Sequence, residues 1–593
     1  MSNTGTSVNN IYDERNDFII IGLTGRTGSG CTTVANILKT KKFDSLSLRT
    51  PKSIGYENTD ERKYKIIYDY IRENWDGFQV IELSNIIASF IYEKPYDEFL
   101  TYLENLNKAE NCNILNFDKL KEELSKLQEN FSTINAKITE FNIKEKKDRS
   151  PIDYTNIINL YMDKIPDTTE SLKKNLTNYI IEETKGENLV QSQLYTYLFQ
   201  NFGNNIRSSG NPYLDEPSGK NIFSIPERTN HLIKMIRKER KEEGTLICID
   251  AIRNPYEATF FKDRYAAFYL FSINTEDNYR RERLNRKLNS FEIQNLDERE
   301  YPEKAKIEDH FYRQNIKMCT EQSDIFIYNP TSQDNTKYFL TKQIVIYITL
   351  IKHPGLITPT RIERCMQIAY NAKLNSGCLS RQVGAVVTDE NYSIKSVGWN
   401  DVPEGQVPCN LRDVKMFCKN KDEDSYSNFE ITDKEFNDLL SKINGSIMYT
   451  ELHGRNHPYC FKEIYNAINK DKNQVNTRAL HAEENAFLQT AKYGGQGING
   501  GFLFTTASPC VLCSKKAYQL GIKKIYYIHP YPDISQTHIL NFGKDKSKNP
   551  KMILFHGAIG SAYTSLYTQR ISYKDELQCL TNIDYKKLLS IKE

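Results

Sequence analysis

His481-Ala-Glu483, followed by Pro509-Cys510-Val-Leu-Cys513, brings together side chains that bind zinc in proteins. The two cysteines lie three residues apart at the start of a predicted helix, so both point the same way from its first turn. The helix N-terminus lowers the pKa of such thiols and favours the thiolates that zinc needs. Histidine from a second helix completes three protein ligands, and the fourth position stays open to a water. The pattern therefore predicts a zinc centre of the catalytic type, as opposed to a closed structural site.

The residues around this motif alternate between strand and helix patterns. Apolar runs predict a hairpin and two later strands, and helices are predicted from His481 to Lys492 and from Pro509; the strands are Val383 to Thr388, Ile394 to Trp399, Phe502 to Thr506 and Ile522 to Ile528. Polar sequence at 421–476 is interpreted as an insertion. The pattern predicts an α/β/α layered domain over 357–593.

The motif fits the H-x-E…P-C-x-x-C signature of zinc deaminases. Residues from about 360 to 540 resemble the cytidine and deoxycytidylate deaminase superfamily, most clearly its deoxycytidylate deaminases, through three further segments: Ser380-Arg-Gln-Val-Gly-Ala-Val386, Gly398-Trp-Asn-Asp401 and Tyr531-Pro-Asp533. Glu483, two residues from a zinc ligand, is placed to take a proton from water and pass it to ring N3 and the leaving ammonia. The resemblance implies deamination of deoxycytidine nucleotides, with Glu483 as the catalytic residue and His481, Cys510 and Cys513 as zinc ligands.

The resemblance also implies substrate contacts. Asn400 matches the residue that contacts the deoxyribose, and Arg381 resembles a phosphate-side contact, although a salt-bridged surface arginine explains it equally well. Trp399 stands where the family has Tyr, and Asp401 replaces its second Gly. Preferences for mono- or triphosphate and for effectors are therefore not carried over.

A second metal cluster is a weaker hypothesis. Its four residues precede the zinc motif at irregular spacing: Cys409, Cys418, His457 and Cys460. A structural zinc would stabilise a polar insertion that lacks a core, and related deoxycytidylate deaminases carry an auxiliary metal there. Free thiols in a loop remain the alternative.

Near the N-terminus, Phe18-Ile-Ile-Ile-Gly-Leu predicts a buried strand that leads into a glycine-rich loop and then a helix. This is the setting of a phosphate-binding P-loop, whose candidate residues here are Gly25, Gly28, Ser29, Gly30, Cys31, Thr32 and Thr33. Cys31 occupies the lysine position of the pattern, so backbone N–H groups can still hold phosphate but efficient phosphoryl transfer is not expected. Arg26 is a candidate for the missing charge.

Residues 17–350 otherwise resemble the nucleoside and deoxynucleoside monophosphate kinases. Four further runs complete a predicted five-stranded sheet, and a helical insertion occupies about 90–240. Asp250 is a candidate for Mg²⁺ bound with a nucleotide. Arg280, Arg281 and Arg283 fall where a lid helix would be, and they are interpreted as a solvated basic helix face, with a role in a lid as the alternative. Within the insertion, apolar residues follow a heptad pattern from Leu120 to Phe141. They predict either an amphipathic helix packed on its own domain or a coiled-coil arm between subunits.

Composition excludes several classes of protein. In 593 residues the net charge is +3 and 39% are hydrophobic, without an apolar run long enough for a membrane span or a secretory signal at the N-terminus. Twelve cysteines are too few for a disulfide framework in a chain of this size. A soluble, cytoplasmic protein that binds small ligands is expected, with no membrane partner.

The two-part α/β layout, a lysine-less kinase-like domain fused to a deaminase-like domain, resembles the bacterial anti-phage deoxycytidylate deaminases. That resemblance implies conversion of dCTP and dCMP to deoxyuridine nucleotides, a regulatory nucleotide at the P-loop, a homo-oligomer, and a potential inhibitory RNA partner. Three alternatives stay open: a housekeeping dCMP deaminase for thymidylate synthesis, a nucleic-acid editing deaminase, and an RNA-binding protein that uses zinc structurally.

Overall fold

The computed structural model divides the chain into two compact units. Unit 1 comprises residues 1–358 and 564–593, and unit 2 comprises 359–563. The structure describes residues 3–583 apart from 55–56, 148–153, 186–187, 241–243, 287, 302–308, 331–335, 421, 423, 493, 495–496 and 530–534. In that part of the chain, no helix combines the length and apolar character that crossing a membrane requires.

Unit 1 contains a parallel sheet built from the five runs expected from the sequence. Its strands are β1 (Phe18–Thr24), β2 (Gln79–Glu82), β6 (Thr245–Asp250), β7 (Phe268–Asn274) and β8 (Ile325–Tyr328), which lie in the order β8-β7-β1-β6-β2. Ile19, Ile20 and Ile21 in the central strand are all fully buried. Side chains on both faces of a parallel sheet are covered by helices, which explains why its strands are continuous apolar runs.

A second, antiparallel sheet in unit 1 consists of β3 (Cys112–Ile114), β4 (Ile180–Lys185) and β5 (Asn188–Gln193). The longer helices of unit 1, in chain order, are α1 Asn3–Asp17, α2 Cys31–Lys39, α3 Thr59–Asn74, α4 Leu83–Tyr92, α5 Tyr96–Lys108, α6 Phe117–Ser125, α7 Gln128–Lys147, α8 Ile165–Thr177, α9 Leu194–Ser209, α10 Ser224–Glu239, α11 Pro255–Arg264, α12 Asp277–Leu284, α13 Ser290–Glu300 and α14 Thr336–Lys352.

The heptad stripe packs within unit 1. It is divided between α6 and α7, and the side chains of Leu120, Phe131, Ile134 and Ile138 are at most 3% exposed within the main core of that unit. A side chain buried in its own unit is not available to a partner helix. The amphipathic-helix interpretation is therefore correct, and the coiled-coil arm between subunits is not.

The C-terminal boundary of unit 2 differs from the expected 593. Residues 564–593 group with unit 1, where the helix Tyr573–Thr581 packs against α1. Its buried Glu576 accepts a hydrogen bond from the Tyr12 hydroxyl and lies 2.7 Å from Nε2 of His353. These buried polar contacts bind the end of the chain to unit 1, and they leave no sequence pattern that would announce them.

Unit 2 is built on a mixed sheet in the order β10-β9-β11-β12-β13. The strands are β9 Gly384–Thr388, β10 Ile394–Trp399, β11 Phe502–Ala507, β12 Lys524–His529 and β13 Lys551–Leu554; the longer helices are α15 Arg361–Lys373, α16 Lys434–Ser446, α17 Phe461–Asn469, α18 Ala482–Lys492 and α19 Val511–Gln519. The hairpin, the next two strands and the helices around the motif agree with the sequence prediction, whereas β13 was not expected. Parallel pairing of β11 with β12 places the start of α19 beside the carboxyl end of the sheet.

Candidate active site

The three predicted zinc ligands meet at one point in unit 2. Nδ1 of His481 lies 3.3 Å from Sγ of Cys510 and 3.5 Å from Sγ of Cys513. His481 comes directly before α18, Cys510 is the N-cap of α19, and Cys513 is in the first turn of α19. The structure therefore brings a histidine and two thiols from separate helices within contact distance of one another.

This donor set fits a zinc ion. A tetrahedral zinc, with Zn–S near 2.3 Å and Zn–N near 2.1 Å, separates its ligand atoms by about 3.6 Å. The three ligand atoms all lie within 4.8 Å of one another, and in the described residues this is the one cluster of His, Cys, Asp or Glu side chains of this kind. Hydrogen bonding from Cys513 lowers the pKa of the Cys510 thiol well below its ordinary value, which favours the thiolate form that zinc binds.

Close packing at Gly398 sets the position of the helix that follows His481. A Cβ at Gly398 would lie 2.4 Å from both the carbonyl oxygen of Ala482 and the backbone nitrogen of Ala486. Glycine in β10 therefore allows α18 to approach the sheet more closely than any side chain would permit. An ion pair between Glu484 and Lys516 joins α18 to α19, so the two ligand-bearing helices are also held to each other.

Glu483 is buried beside the ligand cluster, with 4% of its surface exposed. Its Oε1 lies 3.1 Å from the hydroxyl oxygen of Thr505 on β11. Burial raises the pKa of this carboxyl above its ordinary value. A carboxyl that is buried, fixed by one hydrogen bond and next to three metal-binding atoms is equipped to accept and return a proton.

Comparison with known proteins assigns this region. Residues 359–529 match the family model described as the cytidine and deoxycytidylate deaminase zinc-binding region. The deoxycytidylate deaminase of Enterobacteria phage T2 is 30% identical over 167 residues, which cover 28% of this chain and 78% of the phage protein. The chain belongs to the cytidine and deoxycytidylate deaminase family. It is an enzyme, a deaminase, and the family model supports zinc as the metal of the cluster.

Two more proteins are similar to this chain. The deoxycytidylate deaminase of Enterobacteria phage T4 is 30% identical over 171 residues, covering 28% of this chain and 76% of the relative. A solved dCMP deaminase from the cyanophage S-TIM5, in complex with dCMP and dUMP, aligns at 25% identity over 32% of this chain and 95% of its own, with a TM-score of 0.19. At that TM-score the structural alignment adds nothing to the family assignment.

The predicted substrate residues of the deaminase unit lie on the loop before β9 and at the end of β10. The Asn400 amide donates from Nδ2 to the carbonyl oxygen of Arg381 at 2.6 Å and accepts at Oδ1 from the backbone N–H of Val383, also at 2.6 Å. Asn400 is 9% exposed. Its side chain thus fixes the loop that carries Arg381, a role the sequence did not reveal. The Tyr-Pro-Asp segment at 531–533 lies outside the described residues.

The second metal cluster is not supported. Although all four of its residues are described, Cys409, Cys418, His457 and Cys460 do not form a group of metal-ligating atoms. The insertion instead has an apolar core of its own, formed by Val414, Phe417, Tyr426, Phe436, Leu440 and Tyr459. Cys418 is packed against that core, and because the core already stabilises the insertion, no metal is needed to do so.

The glycine-rich loop of unit 1 joins β1 to α2, which agrees with the strand, loop and helix predicted from the sequence. Gly28 and Gly30 have φ angles of 86° and 112°, which favour glycine, and a Cβ at Gly30 would lie 2.3 Å from the side-chain nitrogen of Asn329. Burial raises the pKa of Cys31 to about 12, so the residue at the lysine position is a neutral thiol. Ser29 is buried and Thr33 is exposed.

Two polar contacts beside the loop bear on ligand binding. The Thr32 hydroxyl donates to Oδ2 of Asp250 at 3.2 Å, while Oδ1 of Asp250 is buried and has no hydrogen-bond partner among the residues that the structure describes. Arg26, the sequence-based candidate for the missing lysine charge, is held by Asp277 at 3.0 Å and Asp297 at 2.6 Å. With both terminal nitrogens of its guanidinium engaged by carboxylates, Arg26 is not poised to meet a phosphate.

Sequence reasoning missed Glu300, which together with Arg253 forms the charged pair that does face this loop. Arg253 lies just after β6, and Glu300 is the last residue of α13; their side chains form an ion pair of 2.7 Å. The Arg280 and Arg283 side chains on α12 donate to loop carbonyl oxygens, so these two residues are not a solvated helix face. No short sequence motif contains both Glu300 and the loop, because they are 273 residues apart in the sequence.

Proposed function

We propose that the chain hydrolytically deaminates deoxycytidine nucleotides, dCMP, dCTP or both, to the corresponding deoxyuridine nucleotides. The observation that carries the proposal is a buried carboxyl, Glu483, fixed beside a cluster of His481, Cys510 and Cys513 that fits zinc. Relatives that are deoxycytidylate deaminases support the choice of base and sugar.

The chain's own residues divide the work of the reaction. His481, Cys510 and Cys513 would hold zinc, which supplies Lewis acidity that makes a water nucleophilic at neutral pH. Glu483 takes one proton from the water and delivers it to ring N3 as the water oxygen adds to C4; it then takes the second proton from the added oxygen and passes it to the amino group, which leaves as ammonia while the C4 carbonyl forms. Thr505 keeps the carboxyl in place while its charge changes.

Recognition of the nucleotide is assigned to Asn400 and Arg381. In the Asn400 amide, one N–H and one oxygen lone pair are already used by the loop backbone, which leaves a second N–H and a second lone pair for a sugar hydroxyl. Arg381 is partly exposed on the loop that Asn400 fixes, which suits a contact with the phosphate.

The N-terminal unit is proposed to be a P-loop domain, similar to nucleoside monophosphate kinases, that binds a regulatory nucleotide and does not transfer phosphate. The strand-loop-helix setting, the two glycines with positive φ and the neutral thiol of Cys31 support this function. Mg²⁺ bound with the nucleotide would be held by Thr32 and Asp250. Its resemblance to anti-phage deoxycytidylate deaminases adds a biological role in depleting dCTP and dCMP during infection, and a homo-oligomer and an inhibitory RNA belong to the same hypothesis.

A substrate panel tests the proposed reaction. Purified protein with bound zinc is assayed for ammonia release from dCMP, dCTP, cytidine and a cytosine-containing oligonucleotide. We expect activity on dCMP, dCTP or both, and none on cytidine or the oligonucleotide. Preference for the oligonucleotide would identify a nucleic-acid editing enzyme instead. Glu483→Gln should be inactive, whereas Glu404→Gln, the same change at a side chain that is 85% exposed in unit 2, should retain activity.

A further inference from the structure

The carboxylate of Glu300 lies in the mouth of the glycine-rich loop of unit 1. Both of its oxygens are 3.1 Å from the backbone nitrogen of Thr27, and Oε1 also accepts from the Thr27 hydroxyl. On its other side, Oε1 lies 2.7 Å from a guanidinium nitrogen of Arg253. Glu300 is fully buried, so this internal acid is held entirely by donors of the protein.

These donors are the ones that a phosphate group requires. A loop N–H, a hydroxyl and a guanidinium are the usual partners of phosphate oxygens at loops that precede a helix. A carboxylate offers the same acceptor oxygens with one negative charge. The carboxylate of Glu300 therefore occupies a site whose donors would also suit the phosphate group of a ligand.

The helix that carries Glu300 does not itself favour the arrangement. Glu300 is the last residue of α13, and a negative charge at a helix C-terminus is disfavoured by the helix dipole. Burying a carboxylate also costs free energy unless the charge is paired. The contacts with Thr27 and Arg253 offset both of these free-energy costs. If another anion binds those donors, the costs of keeping Glu300 buried are no longer offset, and its release is favoured.

The same two residues line a large cavity. Thr27 and Arg253 both line a cavity of about 600 Å³, whose walls also include Tyr195 and Phe199 of α9. Asp250 also lines it, and its buried Oδ1 has no hydrogen-bond partner in the described part of the chain. The volume lies within the range of small-ligand sites, and aromatic rings in the same cavity as an anion site suit a phosphorylated aromatic compound.

We propose that Thr27 and Arg253 form a phosphate subsite, which Glu300 fills until a phosphate ester displaces it. The inference rests on the proposed function of unit 1 as a nucleotide-binding unit and adds the residues that bind the phosphate and the residue that competes with it. Withdrawal of the Glu300 side chain would vacate the subsite. The affinity of any phosphate ligand is then reduced by the fraction of molecules in which Glu300 is bound.

Direct binding measurements test the competition. Full-length protein is titrated by calorimetry with two probes that carry no cytosine, inorganic pyrophosphate and dAMP. Glu300→Gln keeps the size of the side chain and removes its charge, and it is expected to lower Kd for both probes about tenfold or more relative to wild type. Glu298→Gln is the matched control, because Glu298 is exposed on the same helix, and its Kd should stay within about twofold.

A second variant examines Arg253 without leaving a buried charge unpaired. The double variant Arg253→Gln with Glu300→Gln removes both charges, and it should bind either probe more weakly than Glu300→Gln does. If Glu300→Gln binds pyrophosphate more tightly than wild type does but binds dAMP no more tightly, the site takes inorganic anions and not phosphate esters. If the variant binds both probes more tightly, the site accepts a phosphate ester.

Each contrary result has a distinct meaning. Equal affinities of wild type and Glu300→Gln, or an equal gain in Glu298→Gln, would overturn the competition while leaving nucleotide binding intact. Absence of binding by every variant would overturn both the subsite and the proposed nucleotide-binding role of unit 1, and dCMP deamination measured in parallel would show whether the proposed reaction of unit 2 survives.

Discussion

The Thr505 hydroxyl lies 3.1 Å from Oε1 of Glu483 and 2.8 Å from the carbonyl oxygen of Ala507. A hydroxyl has one hydrogen, and a carbonyl oxygen can only accept. Thr505 can therefore donate to an ionised Glu483, or donate to Ala507 while accepting from a protonated Glu483. Both protonation states of the carboxyl keep a hydrogen bond, which is what a residue that shuttles a proton needs.

The first prediction concerns this hydroxyl. Thr505→Val should lower kcat about tenfold or more, since a hydrogen bond to a charged group contributes about 1.5–3 kcal/mol. Thr505→Ser keeps the hydroxyl and should stay within about threefold of wild type. The pH profile of kcat should change in the valine variant and not in the serine variant, and identical profiles in all three proteins would remove Thr505 from the mechanism.

Glu483 itself is expected to be needed for turnover and not for metal binding. Glu483→Gln should lower kcat by about a hundredfold or more, the usual range for loss of general acid–base catalysis, with the zinc content unchanged. Steady-state kinetics and elemental analysis of the same preparation measure both quantities. Turnover within about tenfold of wild type would contradict the assigned role.

The ligand set makes the opposite prediction for metal content. His481→Ala and Cys510→Ala should lose zinc and activity together, because two remaining ligands bind the ion weakly. Elemental analysis after dialysis against a chelator is the measurement, with Glu404→Gln as the control that keeps its zinc. Full occupancy in either alanine variant would show that another residue is the ligand.

Close packing at Gly398 predicts a structural effect on the same site. Gly398→Ala places a methyl group 2.4 Å from the backbone of α18, which should lower the free energy of unfolding of unit 2 by about 1–3 kcal/mol and reduce activity. Gly445→Ala is a matched control, since a Cβ there meets no atom within 4 Å. Thermal denaturation compares the two, and equal midpoints would contradict the packing argument.

For unit 1, no transfer of the terminal phosphate of ATP to dCMP is expected. Cys31 is a neutral thiol, so the cation that stabilises a transferring phosphoryl group is missing at its usual position. Radiolabelled ATP gives a sensitive measurement, and Thr32→Ala supplies the background. Transfer by wild type clearly above that background would show that another cation, such as Arg253, replaces the lysine.

The zinc cluster could be predicted from sequence because its chemistry is encoded in short segments. His481 and Glu483 are two residues apart, and Cys510 and Cys513 are three apart, so local spacing alone fixes their faces. The parallel sheet of unit 1 was equally accessible, because buried strands appear as continuous apolar runs.

Features that depend on contacts between distant segments could not be predicted in this way. The cysteines at 409, 418 and 460 suggested a metal site, yet sequence does not tell that aromatic side chains already form a core there. Glu300 contacts Thr27, which is 273 residues away in the sequence. Several acidic residues lie near the end of α13, and no sequence pattern distinguishes Glu300 from the others. The role of Asn400 in fixing the loop before β9 likewise depends on the fold.

The return of residues 564–593 to unit 1 has a consequence for synthesis on the ribosome. Unit 2 is translated between the two parts of unit 1, so about 200 residues are added after His353 before its partner Glu576 is synthesised. At about 5–20 residues per second, that delay is about 10–40 s. During this interval the first part of unit 1 lacks the helix Tyr573–Thr581, and unit 2 has time to fold before that helix is synthesised.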